Sequence, residues 1–124
     1  VIEHLREPWQ TMKNLAAVLK PGGCVIISVP NVMHFSVFRM MLKGRWQYEE
    51  AGILDRTHLR FFTRTEVVAL LQEAGLEPQE VFDSKITESE QDQDFIAQLA
   101  TLLPPDVDAK ELHAFQWKVV AKKR

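Results

Sequence analysis

At 124 residues, 46% hydrophobic and 26% charged, the chain is long enough for one globular domain and too short for two. Its formal net charge of −2 gives no overall basic field to favour nucleic acid. One cysteine, Cys24, excludes an intramolecular disulfide and makes a reducing, cytoplasmic setting the simplest expectation. No apolar run approaches membrane-spanning length, and no signal segment is visible.

The chain opens Val1-Ile2-Glu3-His4 with no initiator Met, as though inside a structural unit. From Pro8 to Leu19, apolar residues at Trp9, Met12, Leu15, Ala16 and Leu19 mark one face of a helix, with Pro8 suited to its first turn. Lys20-Pro21-Gly22-Gly23 ends it. Cys24 to Val29 is a nearly continuous apolar run, predicting a strand covered on both faces, as in a parallel α/β sheet. Cys24 within it reads as inert and buried.

Met33 to Lys43 predicts a helix, and residues 44–62 show no sustained period. An irregular stretch of that length inside one domain is usually functional or mobile. Thr63-Arg64-Thr65-Glu66 matches a capping box, opening a helix that stops at Gly75. Leu76 to Asp83 predicts a strand. Residues 87–94 read as polar loop leading into a helix with Phe95, Ile96, Leu99, Leu102 and Leu103 on its apolar face, ended by Pro104-Pro105. Phe115, Trp117, Val119 and Ala121 alternate with Gln116, Lys118, Val120 and Lys122, predicting a half-exposed strand at or near a sheet edge.

This order of helices and strands gives an α/β layer architecture. Three motifs narrow it: Val1-Ile2-Glu3-His4-Leu5, then Leu19-Lys20-Pro21-Gly22-Gly23 leading into a strand that ends Ser28-Val29-Pro30-Asn31, then Leu54-Asp55-Arg56-Thr57-His58-Leu59-Arg60-Phe61-Phe62-Thr63. In that order they resemble the later part of class I S-adenosylmethionine-dependent methyltransferases, over about residues 1–84. The third is long and specific, and is similar to a bacterial subgroup acting on small molecules. The resemblance implies the C-terminal half of a Rossmann-like methyltransferase sheet with flanking helices and an antiparallel closing strand. It also implies that the family's glycine-rich cofactor loop precedes Val1. No G-x-G pattern occurs here, and Gly22-Gly23 lies between helix and strand, the wrong order for cradling a nucleoside. Weak or absent S-adenosylmethionine binding by this chain alone is therefore expected.

The resemblance puts Glu3 and His4 beside the methionine end of the cofactor. Some relatives bind a divalent metal with an E-x-x-E-H segment and a further histidine. Here Glu3, His4 and His58 are the matching positions, with the first glutamate falling before Val1. The plainer reading is that Glu3 favours a helix N-terminus and that the histidines hydrogen-bond within the loop. His58 is also the candidate general base on an acceptor hydroxyl or amine, with Asp55 to orient it. Arg60 and Asn31 are candidate substrate contacts, though Asn31 equally suits an Asx turn after Pro30. Arg39, Lys43 and Arg45 read either as phosphate or carboxylate recognition or as a solvated helix face. Phe35, Phe38, Trp46 and Tyr48 read as an acceptor lid or as core. The expected partner is a small-molecule acceptor. A second copy of the chain is also expected, pairing through a sheet edge that the missing half would otherwise cover. A non-catalytic, self-associating fragment is the competing reading.

Overall fold

The computed structural model describes every residue from Val1 to Arg124. A single 3-10 turn at Ile2–His4 precedes α1, Pro8–Val18. Then follow β1 (Cys24–Pro30), α2 (Phe35–Leu42), α3 (Arg64–Glu73), β2 (Leu76–Ser84), α4 (Glu90–Ala100), α5 (Lys110–His113) and β3 (Gln116–Lys123). No helix is long and apolar enough to cross a membrane.

The local signals act as their chemistry requires. Pro8 sits in the first turn of α1. Thr63 caps α3 by accepting from the Glu66 N–H, although the Glu66 side chain does not reach back to complete the expected capping box, and Gly75, at φ +86°, turns the chain into β2. Ser89 and Asp92 form a full reciprocal capping box on α4, which therefore starts earlier than the polar run suggested. Residues 44–62 carry no helix or strand, only the isolated bridges Glu49–Asp55 and Asn31–Phe62.

The sheet order is β1-β3-β2, with β3 antiparallel to both neighbours, so β1 and β2 run in the same direction. The edge placement of the last strand is thus corrected: β3 is central. Its alternation reflects one face packed on helices, where Trp117, Val119 and Ala121 are buried, and not an open edge. Met12 and Ala16 of α1 and Val67, Leu70 and Leu71 of α3 complete that core with Leu76 and Val29. A second cluster, Phe35, Ile96 and Leu112, joins α2, α4 and α5.

Covering of β1 on both faces is corrected too. Val25 and Ile27 pack on the main core, while Ile26, on the opposite face, is 72% exposed. Cys24 shares that open face and is exposed, not buried. The reason is the two-residue period of a strand: with helices on one side only, every second residue meets solvent. The outer edge of β1 pairs with no strand.

Candidate functional site

The polar cluster forms where the loop preceding α3 returns to the start of the chain. The N–H groups of Leu59 and Arg60 both donate to the Glu3 carbonyl, at 2.7 and 3.0 Å. Those bonds bring His58 beside His4, with ring centroids 4.8 Å apart in an edge arrangement. Ligand atoms of Glu3, His4 and His58 lie within 4.8 Å of one another. Glu3 and His58 are buried, while His4 is exposed. Glu3 stands before α1 and not in its first turn, so it does not cap that helix.

Backbone carbonyls fix both imidazoles. His58 Nδ1 lies 2.7 Å from Ile53 O, and His4 Nδ1 lies 3.2 Å from Thr57 O. A carbonyl only accepts, so each neutral ring carries its proton on Nδ1 and presents the Nε2 lone pair. His58 Nε2 has no hydrogen-bond partner in the protein, whereas His4 Nε2 lies 3.5 Å from a Glu3 oxygen. One carboxylate oxygen and two such nitrogens are a fitting donor set for a divalent ion with open positions. Metal–nitrogen bonds of about 2 Å require the three side chains to close inward from the 4.8 Å spacing.

Asp55 does not take the expected role of orienting His58. Its Oδ1 accepts from the Thr57 N–H at 2.8 Å and the Thr57 hydroxyl at 2.7 Å. The Thr57 hydroxyl is the first cause holding the Asp55 carboxyl below its ordinary range. The Ile53 carbonyl orients His58 instead. Arg60 spends part of its guanidinium on the chain itself: its Nε and Nη2 donate to Arg6 O at 3.0 and 2.6 Å, and the group stands over the Trp9 ring. It pins the loop to the lead-in of α1. For Asn31, the structure takes the Asx alternative. The side chain is fully buried, Nδ2 donates to Glu111 O and Ala114 O, and Oδ1 accepts from Met33 N. It ties the end of β1 to α5 and has no hydrogen left for a substrate.

The proposed aromatic lid does not assemble. Phe35 and Phe38 belong to the cluster of α2, α4 and α5, whereas Trp46 packs edge-on against Phe61 at 5.4 Å. Gly22-Gly23 stands at the opposite end of β1 from Asn31, roughly 26 Å away at the rise of an extended strand. No glycine directly follows the C-terminal end of a strand.

Two features escaped sequence reasoning. A cavity of about 670 Å³ opens between α2 and the following loop, with Val37, Met40, Ile53, Leu54 and Phe115 among its walls. That size suits a small organic molecule. Ile53 links it to the polar cluster, since its carbonyl holds His58. The second is His34, fully buried, whose Nδ1 meets the Ser36 hydroxyl at 2.6 Å while Nε2 has no partner. Burial pushes its pKa down to about 4. Its place directly after an Asx turn and before α2 was the available signal.

Residues 1–81 match the model of a methyltransferase domain. Among curated proteins, none matches the chain. Among solved structures, a Bacillus halodurans C-125 protein assigned as a methyltransferase aligns over 98% of this chain and 64% of its own, with TM-score 0.50 and 17% identity. A SAM-dependent methyltransferase from Archaeoglobus fulgidus aligns over 98% of this chain and 55% of its own, with TM-score 0.57 and 15% identity. At these identities the likeness concerns the fold, and the chain spans between half and two thirds of each structure.

Proposed function

The chain belongs to the methyltransferase-domain family, and from that membership we propose that it forms the acceptor side of an S-adenosylmethionine-dependent methyltransferase acting on an oxygen or nitrogen of a small molecule. The observation carrying this reading is His58: a buried imidazole with Nδ1 spent on Ile53 O and Nε2 free, beside a cavity of ligand size that Ile53 lines and His58 itself does not.

When bound, S-adenosylmethionine supplies an electrophilic methyl group on a sulfonium. The chain's own task is to hold the acceptor and take its proton. The cavity would hold and orient the acceptor, and orientation supplies most of what methyl transfer demands. An acceptor hydroxyl or amine brought against His58 would give up its O–H or N–H proton to Nε2. The Nδ1–H to Ile53 O bond persists throughout, so the ring does not turn. The Glu3 carboxylate lies beside the imidazolium so formed. If a divalent ion is used, Glu3, His4 and His58 would hold it, and its chemistry would be to lower the pKa of a coordinated acceptor hydroxyl.

Calorimetric titration of S-adenosylmethionine into the 124-residue chain tests this division of labour. No saturable heat at micromolar concentration is expected. Micromolar binding would overturn the acceptor-side assignment by putting a cofactor cradle within these residues.

One observation favours a second reading, a self-associating unit: the unpaired outer edge of β1, bearing exposed Ile26. Unpaired strand edges template pairing with another chain.

A further inference from the structure

We propose that the molecule seated in the 670 Å³ cavity carries an oxyanion, a carboxylate or a phosphate monoester, on an apolar body. Calling that molecule the acceptor rests on the methyl-transfer reading; the anion preference does not. The cavity walls present three cations, Arg39, Lys43 and Arg45, against a single carboxylate, Glu49.

Arg39 is built into place. Its Nη2 lies 2.7 Å from Asp92, and its guanidinium stands 5.2 Å from the Phe35 ring centroid and 5.1 Å from that of Phe95. Asp92 is fixed in turn by the Ser89 capping box and held below the ordinary carboxylate range, chiefly by the Ser89 N–H. A guanidinium clamped in this way loses little freedom when its remaining donors meet a ligand. Lys43 and Arg45 have no carboxylate within ion-pair distance.

A cation at a helix C-terminus is ordinarily explained by the helix dipole, and Lys43, the C-cap of α2, fits that explanation. Arg45 does not, because it lies beyond the helix end. Gly44, at φ +74°, reverses the chain, and the Arg45 N–H then donates to Met40 O at 3.2 Å. The turn returns a third cation to the same concavity. Val37, Met40, Ile53, Leu54 and Phe115 supply the apolar part of the same lining. A ligand matching both sides has a charged end and a greasy body.

The test uses the 124-residue chain with no methyl donor present, in low-salt buffer free of phosphate. Phenyl phosphate, benzoate and benzyl alcohol are titrated while backbone amide signals of Val37, Ile53, Leu54 and Phe115 are followed by NMR. Saturable shifts are expected with at least one of the two anions and not with the alcohol; the stronger anion identifies the oxyanion. The double variant K43E/R45E, altered only at exposed side chains, should still unfold cooperatively, with at most a small drop in melting temperature from the Glu at the C-cap of α2, and bind the anion about tenfold more weakly, as loss of two exposed ion pairs implies. Equal binding of benzyl alcohol, or unchanged binding by K43E/R45E, would overturn the proposal. Because no S-adenosylmethionine is present, failure here leaves the methyl-transfer reading standing, and failure of that reading leaves this result standing.

Discussion

His4 and His58 meet edge to face, with ring centroids 4.8 Å apart, because two adjacent N–H groups of the loop, those of Leu59 and Arg60, share the Glu3 carbonyl. The backbone, and not the side chains, makes this contact. Each ring is then oriented by a carbonyl on its Nδ1 side, so the two Nε2 atoms are the ones left for chemistry.

That arrangement predicts a tautomer. Long-range nitrogen–proton NMR correlation on the imidazole of His58 should find the neutral ring protonated at Nδ1. A ring protonated at Nε2 would contradict the base role. In a transfer assay of a methyltransferase domain that includes these residues together with a cofactor-binding half, His58→Ala should lower the rate by about 10²–10⁴, the range for loss of a general base; a rate within threefold of wild type would remove His58 from the mechanism.

The same cluster can be probed with cobalt(II). If Glu3, His4 and His58 hold a divalent ion, visible d–d absorption should appear on titration and vanish in Glu3→Gln and in His58→Ala. A cobalt spectrum identical in His58→Ala would assign the metal elsewhere.

Asn31 carries a stability prediction. Asn31→Ala leaves two carbonyls, Glu111 O and Ala114 O, without their donor. The expected cost is about 2 kcal/mol or more, read as a lower urea midpoint with unchanged m-value. Asn31→Asp should be worse, since a carboxylate cannot donate to either carbonyl. A wild-type midpoint for Asn31→Ala would show that these bonds contribute little.

His34 should make the fold acid-sensitive. Its pKa falls from 6.5 to about 4 on folding, mainly through burial; Glu88 and Asp92 pull it up, and His113 and Arg39 push it down. Above pH 6.5 neither state binds the proton and the effect is absent. As pH drops from 6.5 toward 4, the unfolded chain binds it first, so stability is lost across that window, by up to about 3 kcal/mol. Urea titrations at intervals from pH 7.5 to 4 should show the decline, and His34→Gln should flatten it. An unaltered slope in His34→Gln would assign the acid sensitivity to other groups.

The β1 edge predicts association. Light scattering at rising concentration should detect dimers, and Ile26→Lys, which sets a charge on the open face, should shift the population toward monomer. A monomer at every concentration would sink the self-associating reading.

The residues alone determined what depends on near neighbours. Pro8, the Lys20-to-Gly23 turn, the Thr63 cap and Gly75 bound their elements because caps and turns are satisfied within four residues. The Ser89–Asp92 box was equally local and available. The order of the three motifs was enough to indicate the family, which the match over residues 1–81 bears out. Only the tertiary structure decided what depends on distant partners. An alternating strand at an edge and one packed on helices across a single face read alike, so the central position of β3 came from its pairing with both β1 and β2. Asn31 and Arg60 look free in sequence; both Asn31 donors are consumed by Glu111 and Ala114, and Arg60 is anchored on Arg6, contacts that exist only once the chain has folded back. His58 was visible as a candidate, but the Ile53 carbonyl in place of Asp55 gave it direction, because orientation is set by whichever acceptor the loop brings within reach.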